Sequence, residues 1–320
     1  MSEEQLGNMT VEQHKISIVI LTFNRRDRIE NHMQVLAEIY YSPLEIIVVD
    51  NCSDEPLDDL VSRDARACLV RNATNMGAVG RNSGMAIASG DIVITLDDDV
   101  YGLTDEHLHA LCQLMANPQV GAVVFRVEEE GTGRIINWCH PYDQVAHGGR
   151  EFETNDLSEG AVAFRNRALR QVGLYPEYFF ISHEGPDLAI RLINAGWRLL
   201  YSPAIVVIHL RDQRNRASWR RYYFDTRNKL WLVLRNFPVR IGLKHLLIGW
   251  GSMLVYAIRD GYLRYWLKGV WDAVLGSARA WRDRTPPDLQ EWQRWKGLQK
   301  NKPGVWHMAR LRIFRKKVEI

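Results

Sequence analysis

Short apolar runs alternate with amphipathic stretches through the first two thirds of the chain. The runs are rich in β-branched residues, as buried strands are; they cover residues 16–23, 44–49, 67–71 and 120–127, and another begins at residue 92. Between them, apolar residues recur at spacings of three and four, as in Ile29, Met33 and Leu36, which indicates helices. This alternation predicts an α/β fold with a mainly parallel central sheet flanked by helices.

The pattern changes in the rest of the chain. Residues 128–156 contain turn-forming glycines and predict loops. Further elements are predicted at 77–89, 103–117, 165–172 and 187–194 (helices) and at 197–209 (a strand interrupted by Pro203). After residue 209, aromatic and basic residues interleave. We therefore expect a flexible N-terminal segment at 1–15, an α/β domain at 16–212 and a helical, aromatic and basic extension at 213–320.

Charge and cysteine usage narrow the class of protein. The net charge of +3 makes no case for nucleic-acid binding, but basic residues dominate from Arg211 onward, which suggests an anionic substrate or surface there. The four cysteines lack metal-ligand spacing, and the N-terminus has no apolar signal core, so a cytoplasmic protein is expected. No uninterrupted apolar run reaches the length of a membrane span. Packing within the protein is the favoured role of the C-terminal helices, with an anionic membrane surface or a second subunit as alternatives.

Three consecutive carboxylates, Asp97 to Asp99, end the strand that begins at residue 92. Side chains alternate along a strand, so Asp97 and Asp99 are predicted to face the same side. Two carboxylates at the carboxyl end of an α/β strand repel each other unless a cation lies between them, and hard divalent cations prefer oxygen ligands. The triplet therefore predicts a metal and diphosphate site. A solvated loop start or a helix cap is the alternative for the triplet taken alone.

Other strand ends carry polar residues as well. The first strand ends near Thr22 and Asn24, the second at Asp50, and Asn75 follows the third. Because parallel strands end at one edge of a sheet, these groups are expected to lie together. The run from Asn75 to Gly84 adds glycines for close backbone approach and a cation at a helix start, without a Walker or GxGxxG pattern.

In these motifs and in the segments that follow, the chain resembles the family 2 inverting glycosyltransferases, which have the nucleotide-sugar-binding GT-A fold. The matching segments are VILTFNR (19–25), IIVVDNCS (46–53), NMGAVGRNSGMAIASGD (75–91), LDDDV (96–100), EGAVAFRNRALRQVGLYPEYFF (159–180), HEGPDLAIRLINAGWRLLYSP (183–203) and VIH (207–209). The resemblance covers about residues 16–235, and it includes a basic loop from Arg211 and a helix with Arg227-Asn228. It implies that this basic segment closes over the diphosphate; a solvated surface helix is the alternative.

The resemblance, together with the chemistry of the side chains, implies roles for the polar residues. The nucleoside and diphosphate of a donor are expected to contact Thr22, Asn24, Arg25, Asp50, Asn75, Gly77, Arg81, Asp97 and Asp98. A divalent metal, Mn²⁺ or Mg²⁺, is expected on Asp99 directly, with Asp97 nearer the ribose or a metal-bound water. His209 is either a further metal ligand or a structural residue.

An inverting transfer needs a carboxylate that takes the proton of the acceptor hydroxyl. The family usually places Glu-Asp, one residue, then Asp-Leu here, whereas this chain has Gly185 between Glu184 and Pro186, with Asp187 following. Glu184 is the first candidate for the catalytic base and Asp187 the second. A helix N-cap is an equal alternative for Asp187. Glu159 is expected to contact the sugar or the acceptor.

The sequence thus predicts a metal-dependent, inverting transfer of a sugar to a hydroxyl of a glycan, glycolipid or small molecule, in the synthesis of cell-surface polysaccharide or another glycoconjugate. A homodimer is allowed, and no nucleic-acid partner is expected. One alternative is a sugar-phosphate nucleotidyltransferase, although the glycine-rich loop expected after its first strand is replaced by Thr22-Phe23-Asn24-Arg25. The other alternative, supported by Gly185, is a non-catalytic nucleotide-sugar-binding protein.

Overall fold

A mixed β-sheet forms the centre of the molecule. The computed structural model describes residues 14–210, 219–285, 287 and 289–300. Within them the strands are β1 (Ile16–Thr22), β2 (Leu44–Asp50), β3 (Ala67–Arg71), β4 (Ile92–Asp97), β5 (Val100–Tyr101), β6 (Val120–Glu129), β7 (Phe152–Thr154), β8 (Ala161–Arg165) and β9 (Arg198–His209). Their order in the sheet is β3-β2-β1-β4-β8-β6-β9-β5, and β7 also pairs with β9.

Helices cover both faces of this sheet. They are α1 (Arg26–Ala37), α2 (Asp58–Val61), α3 (Asn82–Ile87), α4 (Asp105–Met115), α5 (Gln144–His147), α6 (Asn166–Val172), α7 (Glu184–Asn194), α8 (Trp219–Asn236), α9 (Val239–Arg259), α10 (Leu263–Leu275), α11 (Ser277–Arg282) and α12 (Leu289–Gln299). In the described part of the chain, two 3₁₀ helices, Gly77–Arg81 and Glu177–Phe179, precede α3 and α7.

The sheet is parallel only in part. Strands β3, β2, β1 and β4 run parallel, as predicted, but β8 lies antiparallel between β4 and β6. Strand β8 follows β6 through a long connection that contains only the short elements α5 and β7, instead of a crossover helix. Such a connection lets the chain return in the opposite direction. The predicted α/β sheet flanked by helices is confirmed: β6 and β9 are also parallel, and the antiparallel strand β8 makes the sheet a mixed one.

Strand alternation divides the core between the two faces. Ile18 and Ile46 point to the face that α1 and α4 cover, whereas Val19 and Ile47 point to the face that α3 and α7 cover. Trp231 of α8 belongs to the second core as well. The C-terminal helices thus join the core on this face, where α8 and α12 pack on α7. The boundary of the predicted helical extension at 212/213 falls in residues 211–218, outside the described part of the chain, as do residues 1–13 of the predicted N-terminal segment.

Some element bounds differ from the prediction. Helix α7 begins at Glu184, three residues before the expected start, and β9 continues through Pro203 with a register shift against β6. The predicted helix at 77–89 is split into a 3₁₀ turn and α3. Among the described residues, α9 has the length and composition of a membrane-crossing helix, although charged residues such as Arg240 and Lys244 interrupt its apolar sequence.

Candidate functional site

The carboxyl ends of three parallel strands form one polar edge. Thr22 at the end of β1 is in register with Asp50 at the end of β2, and Leu21 is in register with Asp97 at the end of β4. The Thr22 hydroxyl donates to Asp98 Oδ2 at 2.9 Å. The prediction that these strand ends share one edge is therefore confirmed.

Two arginines neutralise the acidic triplet. Arg25 Nη1 donates to Asp98 Oδ1 at 2.6 Å and to Asp99 Oδ2 at 2.8 Å, while Arg81 donates to Asp97 Oδ1. Burial raises the pKa of Asp98 to about 6, against the opposing effect of Arg25. The carboxylates that share a partner are thus Asp98 and Asp99, not Asp97 and Asp99. Strand β4 ends at Asp97, so the alternation assumed for the triplet does not continue beyond it.

His209 lies beside Asp99. The pairing of β5 with β9 places Val100 opposite His209, and His209 Nε2 is 3.6 Å from Asp99 Oδ1. An imidazole and a carboxylate form a mixed donor pair of the kind that Mn²⁺ accepts. No group of three or more His, Cys, Asp or Glu side chains is arranged for a metal within the described ranges. If Asp99 and His209 held a cation, it would need further ligands from phosphate oxygens or water.

Asp50 and Asn24 are held in fixed positions at the rim of the edge. Asp50 accepts from the Ser53 amide and from Arg71 Nε, both at 2.8 Å. Asn24 has a φ of 53° and exchanges two hydrogen bonds with Asp54. Both predicted nucleoside contacts thus belong to an ordered turn network.

Asn51 organises the glycine-containing segment, a role that the sequence analysis missed. Its Oδ1 accepts from the Met76 amide and its Nδ2 donates to the Gly77 carbonyl, both at 3.0 Å. Asn75 accepts from the Gly77 amide at 2.8 Å. Gly77 has a φ of +67°, and a Cβ there would lie 2.3 Å from the Phe180 carbonyl oxygen, so this turn requires glycine. The position of Asn51 directly after Asp50 at a strand end was the available signal.

A second acidic cluster lies beside Arg81. Glu184 is only 4% exposed, and Glu159 Oε1 accepts from the Gly185 amide at 2.8 Å. Burial, together with repulsion from Glu159, raises the pKa of Glu184 well above its usual value. Three buried atoms here have no hydrogen-bond partner among the described residues: Arg81 Nε, Tyr175 Oη and Glu184 Oε2. Buried polar groups that lie near one another and have unpartnered atoms are typical of a site that receives a polar ligand.

Asp187 is part of the internal framework. It has no exposed surface, and it accepts from Arg191 Nε at 2.8 Å, Arg235 Nε at 2.7 Å and Asn236 Nδ2 at 2.6 Å. A carboxylate so enclosed has no path to an acceptor hydroxyl, which argues against Asp187 as the base. The N-cap interpretation is wrong as well, because the cap position of α7 is His183.

Helix α8 holds the segment that leads into α7. Phe180, Ser182 and His183 have φ values of 64°, 77° and 68°, a backbone conformation that is unfavourable for residues other than glycine. The buried Asn228 amide of α8 donates to the carbonyls of Phe179, Ile181 and Ser182 at 2.9, 2.8 and 2.7 Å. The Arg-Asn pair in this helix was part of the resemblance, but this function of Asn228 was not foreseen. The basic loop predicted to close over the diphosphate lies in 211–218, outside the described residues.

Comparisons with known proteins match this architecture. Residues 17–173 match the family model described as Glycosyl transferase family 2. The pre-mycofactocin glycosyltransferase of Mycobacterium tuberculosis is 31% identical over 177 residues, covering 52% of this chain and 37% of that protein. The chain thus spans little more than a third of the length of this curated relative.

Solved structures with low sequence identity share the fold. TarS 1-349 of S. aureus in complex with UDP-GlcNAc aligns with a TM-score of 0.60 at 15% identity, covering 84% of each chain. The mannosyltransferase PcManGT from Pyrobaculum calidifontis, in complex with GDP-Man and Mn²⁺, aligns with a TM-score of 0.51 at 18% identity, covering 94% of this chain and 79% of that one. At these identities the likeness concerns the fold alone.

Proposed function

Residues 17–173 are a family 2 glycosyltransferase domain, and from this we propose that the chain transfers a sugar from a nucleoside diphosphate sugar to an acceptor hydroxyl, with inversion at the sugar carbon. The observation that carries the proposal is the single edge formed by Thr22, Asp50 and the acidic triplet, with Arg25 and Arg81 beside it. This edge combines hydrogen-bonding groups for a nucleoside with cations for a diphosphate.

A divalent cation fits the donor set on this edge. We propose that Asp99 and His209 hold Mn²⁺ or Mg²⁺, with Asp97 within reach of the ribose or a metal-bound water. PcManGT, which shares the fold, was solved with GDP-Man and Mn²⁺. A cation bound here would supply electrostatic stabilisation of the leaving diphosphate.

Different side chains would contact the diphosphate, the nucleoside and the acceptor. Arg25 and Arg81 offer positive charge at the edge that receives the diphosphate, and Asp50 and Asn24 present fixed polar atoms toward the nucleoside. The carboxylates Glu159 and Glu184 also lie near Arg81, and there an acceptor hydroxyl would lose its proton. The acceptor class that we propose is a glycan or glycolipid of the cell surface.

The two alternatives make different predictions in one assay. The chain is incubated with a panel of UDP-, GDP- and dTDP-sugars, Mn²⁺ or Mg²⁺, and glycan or lipid acceptors, and nucleoside diphosphate release is measured with and without EDTA. We expect release from one donor class and its loss on chelation. Pyrophosphate-dependent exchange would indicate a nucleotidyltransferase, and binding without turnover over the whole panel would indicate a binding protein.

The C-terminal helices carry an exposed apolar face. Of the sixteen large apolar side chains exposed in the described part of the chain, twelve lie between Val239 and Trp281. In α10 they recur at helical spacing, as Leu263, Leu267 and Trp271. The opposite faces of α9 and α10 pack on α8, where Trp250 donates to the Thr226 carbonyl. We define this exposed surface of α9, α10 and α11 as the apolar platform.

We propose that the apolar platform docks on an anionic lipid bilayer from the cytoplasmic side. Basic residues follow exposed apolar residues directly, as in Leu243-Lys244 and Leu267-Lys268, so long cationic side chains lie at the border of the apolar stripe. Residues 239–285 contain eight arginines and lysines against three aspartates. A border of this kind matches a negatively charged headgroup layer around inserted apolar side chains.

Vesicle binding tests the platform. We expect the chain to sediment with phosphatidylglycerol-containing vesicles and much less with phosphatidylcholine vesicles, and salt to weaken the binding. Replacing Leu243, Leu267 and Trp271 by serine removes apolar area worth roughly 1 kcal/mol or more each, so binding falls by about 100-fold. The matched control is Val145→Ser, since Val145 is exposed outside the platform. A stable homodimer that does not bind vesicles would assign the face to a second subunit instead.

A further inference from the structure

The carboxylate of Glu159 occupies the place of a side chain at residue 185. A Cβ atom on Gly185 would lie 2.1 Å from Glu159 Oε1 and 2.4 Å from its Cδ. The Gly185 amide, in the first turn of α7, donates to the same Oε1 at 2.8 Å. Glycine at residue 185 therefore leaves room for a carboxylate that arrives from another element.

The backbone around Glu159 is fixed against β4. Thr95 Oγ1 donates to the Glu159 carbonyl at 2.7 Å, and the Asp97 amide donates to the Gly160 carbonyl at 3.2 Å. A Cβ on Gly160 would lie 2.2 Å from Asp97 Oδ2, so the chain passes directly along this acid. Glu159 thus extends from the proposed donor edge to the start of α7.

We infer that Glu159 is the catalytic base of the transfer, an inference that rests on the function proposed above. In this step the acceptor oxygen forms a bond to the sugar carbon and its proton passes to the Glu159 carboxylate. The bond between that carbon and the phosphate oxygen breaks, and the nucleoside diphosphate leaves with the electron pair. The step needs no further reactant.

The surroundings distinguish Glu159 from Glu184. Glu184 is deeply buried and its Oε2 has no hydrogen-bond partner in the described residues, which favours its protonated form. Glu159 is partly exposed and receives the Gly185 amide at a helix start, which favours the ionised form. Two adjacent carboxylates do not both ionise easily, so the more deeply buried Glu184 holds the proton.

The charges around Glu159 agree with this division. Burial and repulsion from Asp156 raise the pKa of Glu159 to about 7, whereas Arg81 and the Gly185 amide oppose the rise. Tyr175 and Asp97 are the other titratable groups that share the cluster. A carboxylate with a pKa near neutral pH is ionised in a large fraction of molecules and is still basic enough to accept a proton.

Relocating the carboxylate tests the inference. We expect Glu159→Gln to lower kcat by at least 100-fold while the donor KM changes less than threefold. Gly185→Asp alone is expected to impair the enzyme, because its side chain meets the Glu159 carboxylate. In the double variant Glu159→Ala/Gly185→Asp, the carboxylate returns to the same place from the other element. We expect at least tenfold more activity than in Glu159→Ala, and no such recovery in Glu159→Ala/Gly185→Asn.

The outcomes separate this inference from the proposed function. Glu151→Gln is the matched control, because Glu151 is exposed and near in sequence. A wild-type chain without turnover over the donor panel overturns the function and the inference together. An active wild type whose Glu159→Gln variant keeps more than a third of its kcat, or equal recovery by the Asp and Asn double variants, overturns the inference alone. Loss of activity in Glu184→Gln but not in Glu159→Gln assigns the base to Glu184.

Discussion

Replacement of Asp99 by alanine is expected to lower turnover by about a thousandfold, the loss typical for removing a group that stabilises leaving-group charge. Asp99 is 1% exposed. Its carboxylate accepts from Arg25 and lies beside His209, the other proposed metal ligand. Measuring kcat/KM with a saturating cation shows the loss. Calorimetry of Mn²⁺ in the presence of nucleoside diphosphate gives a readout that does not depend on activity.

The matched control for Asp99 is Asp58→Ala. Asp58 is an exposed carboxylate in the first turn of α2 and is not one of the residues that form the polar edge. Its loss is expected to change neither turnover nor Mn²⁺ affinity by more than twofold. If Asp99→Ala retained normal Mn²⁺ affinity and its activity resisted EDTA, the metal role of this edge would be rejected.

Replacement of Asp187 by alanine is expected to destabilise the protein by about 3–5 kcal/mol, because it leaves two buried arginines without their carboxylate. Arg191 belongs to the same helix, whereas Arg235 comes from α8, so the change also loosens the attachment of the C-terminal helices. Thermal unfolding should shift down by about 10 °C for a chain of this size. At 20 °C, we expect kcat to change less than tenfold, since Asp187 has no exposed surface.

The pH dependence of stability gives a second test of Asp187. Burial alone would raise its pKa, but Arg191 and Arg235 outweigh burial and hold the pKa below its usual value. A depressed pKa contributes stability above the unfolded-state pKa of about 3.9, and this contribution is lost as pH falls through the lower folded-state pKa. Below about pH 4 the wild type should therefore lose its advantage over Asp187→Ala. A variant that remains as stable as the wild type but loses all turnover would restore Asp187 as a catalytic candidate.

The polar edge could be predicted from the sequence because it depends on short strand patterns and on the common direction of parallel strands. The strands that end at Thr22, Asp50 and Asp97 are short, β-branched runs, and parallel strands must end on the same side. The helix predicted at 103–117 is observed from Asp105, and the Thr104 hydroxyl caps it by accepting from the His107 amide. The family resemblance is confirmed by the match over residues 17–173.

The second acidic cluster could not be predicted from the sequence in the same way. Glu159 and Gly185 are separated by 26 residues and meet only because β8 lies antiparallel to β4. The irregular segment before β8 gives no periodic signal for that pairing. Likewise, the partner of Asp187 on α8 lies 48 residues away. A carboxylate in a helical pattern looks the same in sequence whether it caps, catalyses or holds two arginines.

Because the Asn228 amide donates to three backbone carbonyls of the segment before α7, the rotational position of α8 about its own axis helps to determine the site. An α-helix turns about 100° per residue. Inserting one residue within α8 before Asn228 would therefore swing the amide away from Phe179, Ile181 and Ser182. The segment before Glu184 would then lose the donors that hold its left-handed residues. The number of residues in α8 before Asn228 is thus constrained by the backbone segment that precedes Glu184, outside the helix itself.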